Sequence, residues 1–241
     1  MTDDDSSLPC LQHLLVVVAH PDDESFGLGA LLTSLVARGT TLSILCFTRG
    51  EHSTLSAYGP DLAIIRCEEL HAASQVLGIS DLSLLSYPDG GLADVAPDEL
   101  RDEVLQRTTD ADGFLVFDEG GVTGHPDHCR ATCAALTAAD TLNLPVLAWA
   151  IPQAVAEQLN AEYGPSFVGR EEADLDVCLH VDRGQQRRAI ACHRSQVTHN
   201  PVLWRRLELL GGHESLCYLR HSVDDTSTAS RRFGPCTGQM N

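Results

Sequence analysis

The chain has 241 residues, of which 43% are hydrophobic, and its formal net charge is −18. This length and composition suit one sizeable globular domain. The acidic balance argues against nucleic acid and anionic membranes as partners, because both would repel the chain. No apolar run approaches the roughly 20 residues that a membrane span needs, and the acidic start of the chain lacks the positive charge of a secretory signal. We therefore expect a cytoplasmic protein.

The cysteines form no CxxC pair, and their odd number does not suit a fully paired disulfide framework. We expect them to be reduced and structural. Cys129 and Cys133 share one helical face and could bind a soft metal, although core packing is the favoured interpretation. The nine positions are Cys10, Cys46, Cys67, Cys129, Cys133, Cys178, Cys192, Cys217 and Cys236.

The first 150 residues alternate between short apolar runs and amphipathic segments, which is typical of βα units around a parallel sheet. The predicted strands cover residues 14–18, 41–47, 82–86, 113–117 and 145–150. The helices predicted between them begin near residues 28, 61, 97 and 127. In the second of these helices, Ile64, Cys67, Leu70 and Leu77 are expected to lie on one buried side.

The pattern then changes. Apolar residues alternate over residues 175–181, which predicts a half-exposed strand, and residues 184–196 are predicted to be helical. We expect a flexible N-terminus over residues 1–12, one domain over 13–221 and a polar, loose tail over 222–241. The predicted fold class is α/β, with a doubly wound, mainly parallel sheet and a short C-terminal extension.

Two short polar clusters stand out, Ala19-His20-Pro21-Asp22-Asp23-Glu24 and Gly124-His125-Pro126-Asp127-His128. The first follows predicted strand one and the second follows strand four. In the doubly wound strand order 3-2-1-4-5 these strands are neighbours, and ligands bind outside their carboxyl ends. We therefore expect the two clusters to meet at one crevice.

These clusters contain the donors of a catalytic zinc site, which takes three protein ligands and keeps one position open. We assign His20, Asp23 and His128 to the metal. Mixed histidine and carboxylate sites also accept iron or cobalt, so other divalent metals remain open. A single His-Pro-Asp string can also be a turn that caps a helix, but two strings at one crevice favour the metal site.

Two further side chains in the clusters have the chemistry to move protons. Asp22 lies next to a predicted ligand and is assigned as the general base that activates water. His125 lies one helical turn before His128 and is assigned as the group that donates a proton or a hydrogen bond to the oxyanion. The alternative for His125 is a helix-capping or surface histidine.

The two clusters resemble the motifs of the LmbE-like (PIG-L) N-acetylglucosaminyl deacetylases. The resemblance continues through Thr48-Arg49-Gly50-Glu51, Pro88-Asp89-Gly90 and His193-Arg194-Ser195-Gln196, and so spans about residues 14–196. It implies a Rossmann-like fold and hydrolysis of an acetamido group on a sugar, with release of acetate. It also implies that His20, Asp23 and His128 bind zinc, that Asp22 is the base and that His125 is the acid or electrostatic catalyst.

The resemblance further implies that Arg66 and Asp89 grip sugar hydroxyls, for which a donor fork and a bidentate acceptor are suited. The alternatives are a helix-surface ion pair of Arg66 with a neighbour such as Glu69, and a turn-forming role for Asp89. His193 and Gln196 are expected just behind the metal ligands, and packing is equally compatible with them.

One departure from the family is Thr123, where some thiol-cofactor biosynthesis members carry a tyrosine that assists the reaction. The expected function is a zinc-dependent hydrolase that removes an N-acetyl group from an N-acetylglucosamine-containing small molecule, such as a glycoside. One alternative is an amidase of the same mechanism on a larger N-acyl or thiol-conjugate substrate. Another is a non-catalytic sugar- or metal-binding module. A nucleotide-binding oxidoreductase is weaker, because the full GxGxxG fingerprint is absent after Gly27-Leu28-Gly29.

Overall fold

A computed structural model describes residues 11–55, 58–79 and 81–222 of the chain. The strands are β1 His13–Val18, β2 Thr41–Thr48, β3 Asp81–Tyr87, β4 Gly113–Phe117, β5 Val146–Ala150, β6 Val177–His180 and β7 His213–Arg220. The helices are α1 Asp23–Phe26, α2 Gly29–Ala37, α3 Leu62–Leu77, α4 Pro97–Arg107, α5 Pro126–Leu142, α6 Gln153–Tyr163, α7 Gly184–Ile190, α8 Arg194–Val197 and α9 Pro201–Leu210.

The described strands form one seven-stranded sheet in the order β3-β2-β1-β4-β5-β7-β6. Strands β1 to β5 are parallel to one another, whereas β7 is antiparallel to both β5 and β6. The prediction of an α/β fold with a mainly parallel sheet is therefore confirmed. The predicted neighbours β1 and β4 are paired, which brings the loops that follow them to the same edge of the sheet.

The central strand β1 is buried on both faces, as its continuous apolar run indicates. Leu14, Val16 and Val18 pack into a core shared with α2 and α3. Leu15 and Val17 pack into a second core, shared with α4 and α5. Helices cover both sides of β1, so its carboxyl end is the part from which functional side chains can reach an open crevice.

Helix α3 differs from its prediction. Ile64 was expected on the buried side, but 61% of its surface is exposed. The buried face instead includes Leu62, Arg66, Leu70 and Leu77. The prediction is confirmed for Leu70 and Leu77 and wrong for Ile64, because the helix turns Arg66 inward in its first turns.

The C-terminal region contributes more to the fold than its sequence indicated. Strand β7 inserts between β5 and β6, and the helix predicted over residues 184–196 is broken into α7 and α8. The carboxylate of Glu214 on β7 is buried, where it accepts hydrogen bonds from Trp149 Nε1 and from Arg183. The hydrogen bond between Trp149 on β5 and Glu214 on β7 ties the parallel part of the sheet to the antiparallel part.

One expectation about the cysteines is wrong, since Cys178 is disulfide-bonded. The free cysteines of the described part are Cys46, Cys67, Cys129, Cys133, Cys192 and Cys217. Secondary-structure elements run from His13 to Arg220, within the predicted domain, while most of the predicted N-terminal and C-terminal segments lie outside the described residues. Within the described residues, none of the helices has the length and apolar character required to cross a membrane. The cytoplasmic location stays a prediction.

Replacing Arg183 by methionine should destabilise the protein by about 3–5 kcal/mol, because the Glu214 carboxylate would remain buried without its ion-pair partner. The matched control is Arg101→Met, which breaks ion pairs to Asp98 and Asp102 at the surface. Water screens such exposed pairs, so the control should stay close to wild type. Equilibrium unfolding in denaturant measures both variants, and equal midpoints for the two would contradict the expectation.

Candidate metal and active site

The two polar clusters meet at the carboxyl ends of the neighbouring strands β1 and β4. His20 and Asp23 lie directly after β1, and His128 lies in the first turn of α5, after β4. His20 Nδ1 and His128 Nε2 are 3.2 Å apart, and His128 Nε2 is 3.1 Å from Asp23 Oδ1. All three residues are buried, and their donor atoms lie within 4.8 Å of one another, as a group that could hold a metal ion.

The outward-facing nitrogens of both rings have partners of their own. His128 Nδ1 is 3.0 Å from the carbonyl oxygen of Gly121 and donates to it. His20 Nε2 is 3.0 Å from Asp89 Oδ1 and 3.3 Å from Asp127 Oδ2. These contacts orient each ring so that its remaining nitrogen faces the cluster, which is the usual arrangement around a metal-bound histidine. The donor set therefore fits a divalent metal such as zinc.

The charges of the cluster are coupled. Burial lowers the pKa of His20, but hydrogen bonds to Asp127 and Asp89 outweigh burial and raise the pKa to about 10. Burial raises the pKa of Asp23, but His128 and His20 outweigh it and hold the pKa below its usual range. The surrounding carboxylates thus favour positive charge at the position where the donor atoms converge.

Asp127 is a residue of this site whose role was not predicted. It is completely buried, and its carboxylate accepts hydrogen bonds from the backbone N–H groups of Gly90 and Leu92, at 2.7 and 3.1 Å. It therefore joins the loop after β3 to the start of α5 while it also contacts His20. The signal in the sequence was an acidic residue between two histidines of one motif.

The backbone of Asp22 is strained, with φ at 119°, in the left-handed region that non-glycine residues avoid. Such a conformation costs about 1–3 kcal/mol and persists only where neighbouring groups enforce it. Asp22 Oδ2 is 2.9 Å from the guanidinium of Arg66. Burial raises the pKa of Asp22 to about 6, and Arg66 opposes this shift.

Arg66 and Asp89, which were predicted to hold sugar hydroxyls, both contact the protein itself. Besides Asp22, Arg66 donates to the backbone oxygens of Gly50 and Pro21, and only 3% of its surface is exposed. The Asp89 carboxylate contacts His20 and accepts a hydrogen bond from the backbone of His52. Their role in sugar binding stays a prediction, and these contacts do not support it.

The suggested alternative for Arg66 is not observed either. Glu69 instead accepts hydrogen bonds from the backbone and the hydroxyl of Ser195, at 2.8 and 2.6 Å. The alternative for Asp89 is partly fulfilled, because residues 88–91 form a turn that a hydrogen bond from Gly91 N to Pro88 O closes.

His125 caps α5, as its alternative interpretation predicts, and its ring also lies beside that of His20, while its role as a donor to the oxyanion stays a prediction. Its Nδ1 accepts a hydrogen bond of 3.2 Å from the backbone of Asp127, which leaves Nε2 to carry the proton of the neutral ring. The ring centroid lies 4.7 Å from that of His20. Burial, followed by His20 and His128, lowers the pKa of His125. A neutral ring with an N–H at Nε2 can donate to a developing negative charge.

His193 and Gln196 were predicted just behind the metal ligands, and none of their described hydrogen bonds reaches a predicted ligand. His193 Nε2 is 2.7 Å from Glu24 Oε1, and Gln196 Oε1 accepts from the hydroxyl of Ser53 at 2.6 Å. Thr123, at the position of the family tyrosine, has its hydroxyl 3.4 Å from His128 Nδ1.

The sequence profile of the PIG-L family, described as GlcNAc-PI de-N-acetylase, matches residues 15–139, which is more than half of the chain. The chain belongs to the PIG-L family. The resemblance stated from the motifs is thereby confirmed, and so is the expectation of a hydrolase of amide bonds, because relatives that match most of this chain are deacetylases.

Two curated relatives and one solved structure illustrate the similarity. A 1D-myo-inositol 2-acetamido-2-deoxy-alpha-D-glucopyranoside deacetylase of Salinispora arenicola is 31% identical, over 80% of this chain and 79% of the relative. The N-acetylglucosaminyl-phosphatidylinositol de-N-acetylase of Bos taurus is 31% identical, over 81% of this chain and 78% of the relative. The N,N'-diacetylchitobiose deacetylase structure from Pyrococcus horikoshii aligns with a TM-score of 0.66 at 22% identity, covering 90% of this chain and 87% of that one. The last comparison supports the fold.

Asp89→Asn should lower the affinity for zinc by about 10–100-fold, because the substitution weakens the hydrogen bond that orients His20. The matched control is Asp98→Asn in α4, a surface carboxylate paired with Arg101. Competition with a chromophoric chelator measures both affinities. An unchanged zinc affinity in Asp89→Asn would contradict this account of the ring orientation.

Gly50→Ala should destabilise the chain more than Gly39→Ala, although both glycines have positive φ. At Gly39 the added Cβ meets open space, so we expect only the backbone cost of about 1–2 kcal/mol. At Gly50 the Cβ collides with the Arg66 guanidinium, which adds about 1–3 kcal/mol of overpacking. Denaturant unfolding of the two variants tests the difference, and equal losses would count against the placement of Arg66.

Proposed function

We propose that this PIG-L protein is a zinc-dependent hydrolase that removes the N-acetyl group from an N-acetylglucosamine-containing small molecule. The observation that supports the proposal best is the buried donor set of His20, Asp23 and His128, with Asp22 and His125 beside it. The relatives from Salinispora arenicola and Bos taurus, whose names both specify acetylated glucosamine compounds, support the substrate class.

The donor set defines what the metal would contribute. His20 Nδ1, His128 Nε2 and Asp23 would hold it, and two nitrogens with one carboxylate are a ligand set of catalytic zinc sites. A zinc ion bound there supplies Lewis acidity to the acetyl carbonyl and makes water more acidic.

Asp22 would act as the general base. Arg66 holds one carboxylate oxygen, Oδ2, so the other oxygen is left to accept the proton of the attacking water. The side chain of Asp22 is 15% exposed, whereas Arg66 is more deeply buried. We therefore propose that Arg66 acts on the substrate indirectly, through the orientation of Asp22.

His125 would stabilise the oxyanion as a hydrogen-bond donor. Its Nδ1 is occupied by the backbone of Asp127, so the ring presents its N–H at Nε2. A donor of this kind is worth about 10²–10³ in kcat when it is placed at a developing oxyanion. The proton that Asp22 accepts from the water can pass to the leaving nitrogen as the C–N bond breaks, which returns the Asp22 carboxylate to its ionised form.

The acyl group that is released distinguishes the deacetylase from an amidase, and the presence of turnover distinguishes either enzyme from a binding module. A non-catalytic binding module would require neither Asp22 nor His125 beside the donor set. The oxidoreductase alternative loses its basis in Gly27 and Gly29, because a Cβ at these positions would lie 2.7 Å from Phe117 and 2.9 Å from Gln186. These glycines therefore serve close packing.

Asp22→Asn should reduce acetate release by about 10²–10⁴-fold while the bound zinc is retained, because the variant removes the base but no ligand. Acetate would be measured with N-acetylglucosamine, its methyl glycosides and an inositol glycoside, beside elemental analysis of the protein. Asp102→Asn, at the surface of α4, is the control and should match wild type. Zinc-loaded wild type that releases no acetate from any of these compounds would refute the proposed function, and release of a larger acyl group would favour the amidase.

A further inference from the structure

A fully buried pair of titratable side chains lies directly behind Asp22 and has no part in the proposed reaction. Glu24 in α1 and His193, between α7 and α8, are both 0% exposed, and Glu24 Oε1 is 2.7 Å from His193 Nε2. The two residues are 169 positions apart in the chain. His193 Nδ1 is buried and has no hydrogen-bond partner among the described residues.

Glu24 uses its two oxygens for different purposes. Oε1 accepts hydrogen bonds from His193 and from the hydroxyl of Ser25. Oε2 accepts a hydrogen bond of 2.9 Å from the backbone N–H of Asp22. That N–H belongs to the residue with φ at 119°, so Glu24 holds the peptide whose conformation is unfavourable by itself.

The same C-terminal region also contacts the far end of α1. Gln186 donates to the backbone oxygen of Ser25 at 3.1 Å, and Arg206 donates to that of Phe26 at 2.9 Å. The ring of Phe26 packs edge-on against His193, with centroids 5.6 Å apart. These contacts fix α1 along its single turn, so that Glu24 has a rigid base from which to hold Asp22.

We propose that Glu24 and His193 are positioning residues, which hold the Asp22 peptide in its left-handed conformation and so direct its carboxylate to the substrate water. The inference rests on the proposed role of Asp22 as the general base. His193 fixes the Glu24 carboxylate, Glu24 fixes the Asp22 peptide, and Arg66 fixes the Asp22 side chain. A displacement of about 1 Å at such a group lowers the rate by about 100-fold.

A purely stabilising role predicts something different. Replacing a buried pair by apolar side chains of similar volume is often neutral for stability, because both desolvation costs disappear together. The double substitution Glu24→Leu with His193→Phe should therefore leave folding largely intact while it removes the acceptor for the Asp22 N–H. Positioning and stability can be separated with this one variant.

The double variant should bind zinc at the wild-type stoichiometry and keep its KM, but its kcat should fall by about 100-fold. Glu24→Gln should keep kcat within roughly fivefold, because the amide oxygen still accepts from the backbone N–H of Asp22. Its NH2 group can donate to the imidazole after the ring proton moves to Nδ1.

Ser195→Ala is the matched control. Ser195 lies in the same C-terminal region as His193, and the variant removes a buried hydrogen bond to Glu69 in α3 without touching α1. It should lower the thermal midpoint and leave kcat unchanged.

A crystal structure of the zinc-loaded double variant provides the readout that does not depend on activity. We expect Asp22 to leave the left-handed region and its carboxylate to shift from Arg66. An Asp22 that keeps its positive φ, or a double variant that keeps the wild-type kcat, would overturn the inference. If the wild type releases no acetate, the proposed function fails, and the backbone of Asp22 in the variant still decides whether Glu24 and His193 position it.

Discussion

The hydrogen bonds of His20 to Asp89 and Asp127 join the loops that follow β1, β3 and β4, and the rest of the site depends on them. Each carboxylate has a second attachment, Asp89 to the backbone of His52 and Asp127 to the backbone of Gly90. Both carboxylates thereby hold the Nε2 side of the His20 ring, which directs Nδ1 at the remaining ligands. The parallel sheet makes this possible, because it places the carboxyl ends of its strands along one edge.

The unfavourable backbone conformation that the site requires lies in the loop after β1, at Asp22. Two adjacent aspartates serve different purposes there, since Asp23 faces the donor set and Asp22 faces Arg66. The positive φ of Asp22 is part of the backbone turn at which the two side chains take these different directions. The C-terminal region, from α7 to α9, supplies the buried groups that keep α1 in place. The C-terminal region thus supports the motif at the other end of the chain.

Several features could be read from the sequence because they depend on local patterns. The apolar run over residues 14–18 and the helical periodicity around it predict the βα units, and the two histidine-aspartate motifs predict the ligand set. Arg66 shows where this reasoning ends, because apolar spacing placed Ile64 on the buried side of α3 and gave no sign that Arg66 is buried. A buried arginine looks like any surface arginine in sequence, since its burial depends on partners in distant segments, Gly50 and Asp22.

The sequence by itself determined the α/β class, the order of the first five strands and which side chains could form a donor set, because periodicity and motif chemistry act over short distances. Only the tertiary structure decided which atoms face the metal position, that Asp89 and Asp127 orient His20, and that Glu24 and His193 meet across 169 residues. It also decided the insertion of β7 between β5 and β6. These features arise from packing between distant segments, and for such contacts the chain carries no local signal.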